Sequence, residues 1–400
     1  MKNLFKKLTC VMVVAFVAVS LFSCALTPQT QLKFTAFPEA EYNVGEVTEA
    51  EFLEAVKVEL DGQPITLTTL KGLGATITGI HLDKVGTYTL VVVYKGVSIV
   101  FEYDVVGLHE ASLNGDNYES LVEAFNEAAN LEEQAEIILL KNVDLAGKGI
   151  VVSEKANVKF NLNGHTVYTL NEGTKGSCLL ENKGKLEIVG TGSLTYIAKY
   201  PDVNFKDNGY DYPTYASNTI TNRGDLTIEG NVVIENQTVG VAVYAIDNYS
   251  ANLTINNGTV KQTAGCHGIR INDMGGNKTT NVVINDGAVI EGTRAIWVHL
   301  ASSDIKLAPV MNITINGGEF NCAEGREVIY VYTYGESLEN INITVNGGTF
   351  NTGSIVLDGA SEANLGNCNE SKFVVNGGTF AKDVIRYTAE GTVVVYKANK

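Results

Sequence analysis

One segment gathers several side chains of the kinds that move protons: Cys266-His267-Gly268-Ile269-Arg270-Ile271-Asn272-Asp273. His267 is the natural acid or base, because imidazole is the side chain whose ordinary pKa lies closest to neutrality. The run before it, Val243-Tyr244-Ala245-Ile246-Asp247-Asn248, offers Asp247 as a carboxylate. Hydrolysis of a glycosidic bond asks for two carboxyl groups flanking that bond, and Asp247 is the one carboxylate of its run. His267 and Asp247 are thus weak catalytic candidates with an incomplete set of partners. The alternative for His267 is a turn residue capping a strand.

A second pattern suits binding rather than catalysis. If Ile269, Ile271, Ile296, Val298, Ile329, Val331, Ile355 and Leu357 point inward, strand alternation sends Arg270, Trp297 and Tyr330 outward in one column, which Tyr244 extends. Asn272, His299, Tyr332 and Asp358 form a parallel column beside it. Aromatic faces for C–H patches, with amide, imidazole and carboxylate groups for hydroxyls, are what sugar recognition uses. The alternative is an aromatic ladder that stiffens the fold. The insertion Thr195-Tyr196-Ile197-Ala198-Lys199-Tyr200 and onward to Asn218 adds Phe205, Tyr210, Tyr212 and Tyr215, either packed on a flank or forming a binding lip.

These residues belong to a repeat. "NITINGGEF", "NITVNGGTF" and "FVVNGGTF" place Ile315, Val345 and Val375 30 residues apart, and looser copies run back through Ile284, Ile255, Ile228, Ile188 and Leu162. A fixed period of this size marks a solenoid, whose units bury their apolar faces against neighbours. Thr, Val and Ile alternate with polar residues, and Gly marks the turns, so the units are strands. Three strands per unit predict a parallel β-helix. Asn256, Asn285, Asn316, Asn346 and Asn376 then fall at equivalent corners, where their amides would stack while the backbone takes a left-handed turn.

Over residues 107–400 this pattern resembles the right-handed pectate-lyase-like β-helix superfamily. Cys266-His267-Gly268 is similar to the Gly-His-Gly strand of polygalacturonases, but the basic partner motif of those enzymes is replaced by Arg294-Ala295-Ile296, and their paired aspartates are not matched. The lyases of the superfamily imply clustered aspartates holding calcium beside a basic residue, and no strand supplies that cluster. No metal and no cofactor is expected. Cys178, Cys266, Cys322 and Cys368 lie in different coils without metal-like spacing, which predicts thiols stacked in the core, with disulfides left open.

Ahead of the first coil, Tyr118, Leu121, Val122, Phe125 and Ala129 recur at helical spacing, with Asp116 and Glu119 placed as a capping box. A cap helix over about 117–130 would cover the open end of the solenoid. Residues 32–106 read as a separate β-module. Gly86-Thr87-Tyr88-Thr89 and Tyr94-Lys95-Gly96 resemble the last strands of bacterial Ig-like domains, which implies a β-sandwich stalk. Residues 1–24 combine Lys2, Lys6 and Lys7 with an apolar run ending in Leu21-Phe22-Ser23-Cys24. That is a secretory signal, and its end resembles a bacterial lipobox, which implies diacylation of Cys24; 25–31 would be a linker.

With Ala25 after the cysteine, the resemblance sends the protein to the outer membrane or cell surface of a bacterium. A net charge of −16 argues against nucleic acid as a partner. The whole points to an all-β, surface-anchored, monomeric, non-catalytic lipoprotein of adhesin type that engages a polysaccharide or a cell-surface protein. The alternative is a β-helical polysaccharide hydrolase or lyase.

Overall fold

The computed structural model describes residues 31–36, 41–45, 47–171, 177–199, 205–207, 210–212, 217–274, 278–300, 310–333, 340–359, 373–384, 388 and 390–396. The expected signal segment, Cys24, Cys368 and most of the aromatic insertion lie outside them. The chain divides into two units, residues 1–105 and 106–400.

The first unit holds a three-stranded antiparallel sheet of Leu32–Ala36, Lys57–Leu60 and Gln63–Thr66, and a four-stranded sheet of Glu41–Asn43, Thr76–Thr78, Gly86–Tyr94 and Val97–Val106. Along the last strand Ser98, Val100, Glu102 and Asp104 are exposed while their alternates turn inward, ending on buried Tyr103 and Val105. Two helices, α1 (Glu49–Ala55) and α2 (Leu67–Gly72), depart from the all-strand expectation. Their signals are local: Thr48 and Glu51 form a capping box on α1, and Thr66 accepts from the Thr69 amide on α2. Phe52, Val58, Leu67, Leu70, Leu90 and Val92 fill one core.

The second unit is a parallel β-helix. Three sheets of eleven, ten and eight strands run along it, and every coil contributes one strand to each where complete, as with Asn252–Ile255, Gly258–Gln262 and His267–Asn272. Inward residues form one continuous core from Ala111 to Val384. Burial of these β-branched and aromatic side chains, at about 25 cal/mol per Å², is the main term holding the stack. The aromatic residue of each late repeat lies in that core: Phe320, Phe350 and Phe380 stack face to face, with centroids 4.7 Å apart at both steps.

The corner asparagines make the expected ladder. Asn285, Asn316, Asn346 and Asn376 each donate Nδ2 to the Oδ1 of the asparagine one coil before, at 2.8–2.9 Å. The left-handed backbone, however, belongs to glycine. Gly318 (φ 95°) and Gly348 (φ 104°) carry it, and no ladder asparagine has positive φ. A Cβ at Gly318 would also lie 2.9 Å from the Ala288 carbonyl oxygen, so the corner needs glycine for space as well as for φ.

The cap is shorter than expected. The helix α3 spans Leu121–Ala128, and Asp116–Tyr118 is instead a strand paired antiparallel with Ala111–Leu113. Asn114 (φ 50°) and Gly115 (φ 97°) close that hairpin, a turn signal that outweighs the capping box. Ser120 makes no side-chain cap; the Glu110 carboxylate accepts the Leu121 amide at 2.8 Å. Cys178 and Cys322 are half-buried, and Cys266 is buried outside the main core; the three are free thiols and do not stack on one another. Burial pushes the Cys178 thiol up to about 11.

Candidate functional site

The third solenoid sheet positions the candidate residues. Across strands Tyr244–Tyr249, His267–Asn272, Ile296–Leu300 and Glu327–Thr333, the register aligns Asp247, Arg270, Trp297 and Tyr330. Asn272, His299, Tyr332 and Asp358 align beside them. Ile269, Ile271, Ile296, Val298, Ile329 and Val331 lie in the solenoid core as expected; the side chains of Ile355, Leu357 and Asp358 lie outside the described residues.

Tyr244 does not extend the first column. It stands opposite His267, and Asp247 takes its place opposite Arg270. Nor are all the outward residues open to solvent: Tyr244 is 0 %, Asp247 1 % and Arg270 8 % exposed. The cause is electrostatic. Arg270 donates Nε to Asp247 Oδ1 at 2.7 Å and Nη2 to Oδ2, and its Nη2 also reaches the Tyr249 hydroxyl at 3.0 Å. Asn272 and Asn218 donate their amides to the two carboxylate oxygens at 2.7 and 3.1 Å. A charged pair can lie at this depth because each is paired and hydrogen-bonded. Burial opposes the Arg270 charge, but Asp247 outweighs it and holds the guanidinium firmly protonated.

Around this pair the aromatics interlock. The Arg270 guanidinium lies 4.5 Å from the Tyr244 ring centroid. Trp297 stacks on His299 at 4.7 Å and meets His267 edge-on at 5.0 Å. His299 and Tyr332 centroids are 5.7 Å apart, and Arg294 covers Tyr330 at 4.3 Å while pairing with Glu327 at 2.8 Å. Tyr244, Val243 and Cys266, with Ala242 and Trp297 against them, form a small apolar cluster separate from the solenoid core. Trp297, His299, Tyr330 and Tyr332 stay half-buried, so part of each faces outward.

Burial, then the charges of Arg294, Arg270 and Arg326, pushes the His267 imidazole down to about 3; burial, then Arg270, pushes His299 to about 4. Both rings are neutral near pH 7. His267 and Asp247 are not hydrogen-bonded to each other: the carboxylate is taken by one guanidinium and two amides, while His267 Nδ1 is shielded without a hydrogen-bond partner among the described residues. Asn272 is likewise committed inward, its Oδ1 accepting the Met274 amide at 2.9 Å. Among the described residues, no group of three His, Cys, Asp or Glu side chains is placed to hold a metal ion, and no helix is long and apolar enough to cross a membrane.

The pairing of Asp247 with Arg270 was missed in the sequence, although opposite charges one coil apart signal it. The buried amide ladder Asn182–Asn222–Asn248, with steps of 2.8 and 2.6 Å, was missed as well. Tyr196, the first aromatic of the insertion, is buried in the core. Phe205–Asp207 and Tyr210–Tyr212 form an antiparallel pair. Compared with protein-family models, with curated proteins and with solved structures, the chain finds no match in any of the three. Fold and geometry define it as a parallel β-helix carrying an aromatic, ion-paired outer face.

Proposed function

We propose that the protein is an exported, lipid-anchored, non-catalytic binding protein of a bacterial surface, which holds a glycan on the outer face of its third solenoid sheet. The observation that carries this reading is the half-buried run Trp297, His299, Tyr330 and Tyr332, which begins one coil beyond the buried Asp247–Arg270 pair. Rigid aromatic edges with little rotamer freedom left to lose are suited to sugar rings. The lipobox-like Cys24 supports the anchor, and the coil pattern supports placement among right-handed pectate-lyase-like helices. Catalysis is disfavoured because Asp247 is saturated and His267 has no carboxylate partner among the described residues. The test is a glycan array on the mature chain and on Tyr332→Ala. Binding by the wild type, weakened in the variant by about 1 to 3 kcal/mol as for a contact hot spot, is the expected result. Polysaccharide cleavage by the wild type, abolished by Asp247→Asn or His267→Gln, would replace this reading with the enzyme one.

A further inference from the structure

The outer face of the first solenoid sheet changes character along the helix. Near the capped end its central column reads Glu136, Lys159, Glu187, in register on successive strands, and Lys159 pairs with Glu136 at 3.2 Å. From the next coil it reads Thr227, Thr254, Val283, Thr314, Thr344, Val374. Two amide ladders flank the later part. On one side is the corner ladder from Asn256 to Asn376. On the other, Asn281, Asn312 and Asn342 each donate to the asparagine one coil before, beginning at Asn252, at 2.9–3.0 Å.

On the four strands from Asn252–Ile255 to Ile341–Val345, these three columns contain no charged residue, in a chain with 45 acidic and 29 basic side chains. The fold does not impose that neutrality. Lys185 and Glu187 occupy the equivalent outward positions on Lys185–Val189, and Asp225 on Asp225–Ile228. Along the ladders an amide spends one N–H and one lone pair on its neighbours, which leaves a second N–H and a second lone pair to meet an outside partner, except at Asn252, whose Oδ1 also accepts the Asn281 backbone amide at 3.2 Å. With strands about 4.8 Å apart, the face is a flat, regular lattice of donors and acceptors, interrupted only by the methyls of Thr and Val.

We propose that this face docks a neutral, hydroxyl-rich polysaccharide laid along the helix axis. Hydroxyls both donate and accept, which matches amides that offer both. A neutral polymer meets no repulsion from an acidic chain, whereas a second copy of the chain or an anionic glycan would. The columns hold no aromatic or arginine anchor of the kind that dominates protein interfaces. The surface is separate from the third-sheet face and stands or falls without it.

The test is retention of the purified protein on insoluble cellulose, chitin and β-1,3-glucan. Retention on at least one, reduced at least tenfold in the double variant Thr314→Lys/Thr344→Lys and unchanged in Lys159→Thr, is the expected outcome. Retention lost in Tyr332→Ala but kept in the lysine variant would overturn this surface in favour of the third-sheet face. Absence of retention on all three polymers, or full retention of the lysine variant, also overturns it. If the lysine variant does not fold, Thr314→Val/Thr344→Val decides, since valine already stands in this column at Val283 and Val374. A several-fold loss supports the proposal and an unchanged value rejects it.

Discussion

Arg270 and Asp247 face each other across neighbouring strands of the third solenoid sheet, joined by Nε–Oδ1 at 2.7 Å and by Nη2–Oδ2, and almost wholly out of solvent. An outward pair at such depth means that something apolar covers it, and Tyr244 and Tyr249 do so with their rings 4.5 and 5.4 Å from the guanidinium. Tyr244 in turn meets Trp297, with ring centroids 5.9 Å apart, which joins the pair to the aromatic face.

Asp247→Ala leaves the guanidinium buried without its counter-ion, so unfolding free energy should fall by about 3 to 5 kcal/mol. The double change Asp247→Leu/Arg270→Met should recover most of it. Urea unfolding of the three chains checks both claims; a single variant within about 1 kcal/mol of wild type would remove the pair from the stability argument.

Stability should depend on pH through the two half-buried imidazoles. Folded values of about 3 for His267 and about 4 for His299 lie below the ordinary 6.5, so below 6.5 the unfolded chain binds more protons than the folded one. By linkage, stability is full above pH 6.5 and declines as pH falls from there toward 4. Melting temperatures measured between pH 7 and 4.5 should drop, and the drop should be shallower in His267→Phe. Equal slopes in the two chains would exclude His267 as a contributor.

Trp297→Ala should cost stability even though the residue faces outward. Its ring contacts His267, His299 and Tyr244, and such aromatic pairs add about 0.5 to 1.5 kcal/mol each beyond buried area. A lowered melting point is expected, with partial recovery in Trp297→Phe. An unchanged melting point would mean that the cluster contributes no packing.

Asn346→Leu breaks two rungs of the corner ladder, to Asn316 and from Asn376. Because glycine carries the left-handed backbone, no φ strain is added, and the loss should be about 0.5 to 1.5 kcal/mol per bond. Gly348→Ala should cost more than the loss of one such bond, since it forces a Cβ into positive φ (104°). Equal melting of Gly348→Ala and wild type would contradict that assignment of the corner.

The proposed anchor is Cys24. Cys24→Ser should move the protein from membrane to soluble fraction and abolish metabolic palmitate labelling. Labelling that persists in the variant, or none in the wild type, would remove Cys24 as an anchor.

Periodicity carried most of the fold. Ile315, Val345 and Val375 at a fixed interval gave the coils, and alternation around Ile269 and Val298 gave the correct inward set. What periodicity cannot encode is whether an outward residue is covered. Arg270 and Tyr244 are buried because of Asp247 and one another, through contacts made one coil away. Local competition explains the other differences. Asn114-Gly115 closes a hairpin where helical spacing predicts a longer cap, and Thr48 with Glu51 starts a helix within a module expected to be all strand. The neutral lattice was half legible: the corner asparagines were seen, while the Asn252–Asn342 ladder needs the strand register to appear.

In the late coils the ladder amide, the corner glycine and the stacked phenyl ring recur at one interval, so consecutive coils present nearly the same groups to their neighbours. Excising or duplicating one whole unit between Ile315 and Val375 would rejoin Asn to Asn, Gly to Gly and Phe to Phe. Recombination between such copies changes the number of coils without disturbing the packing at the junction, and the lattice on the first sheet lengthens or shortens by one rung, about 4.8 Å, each time.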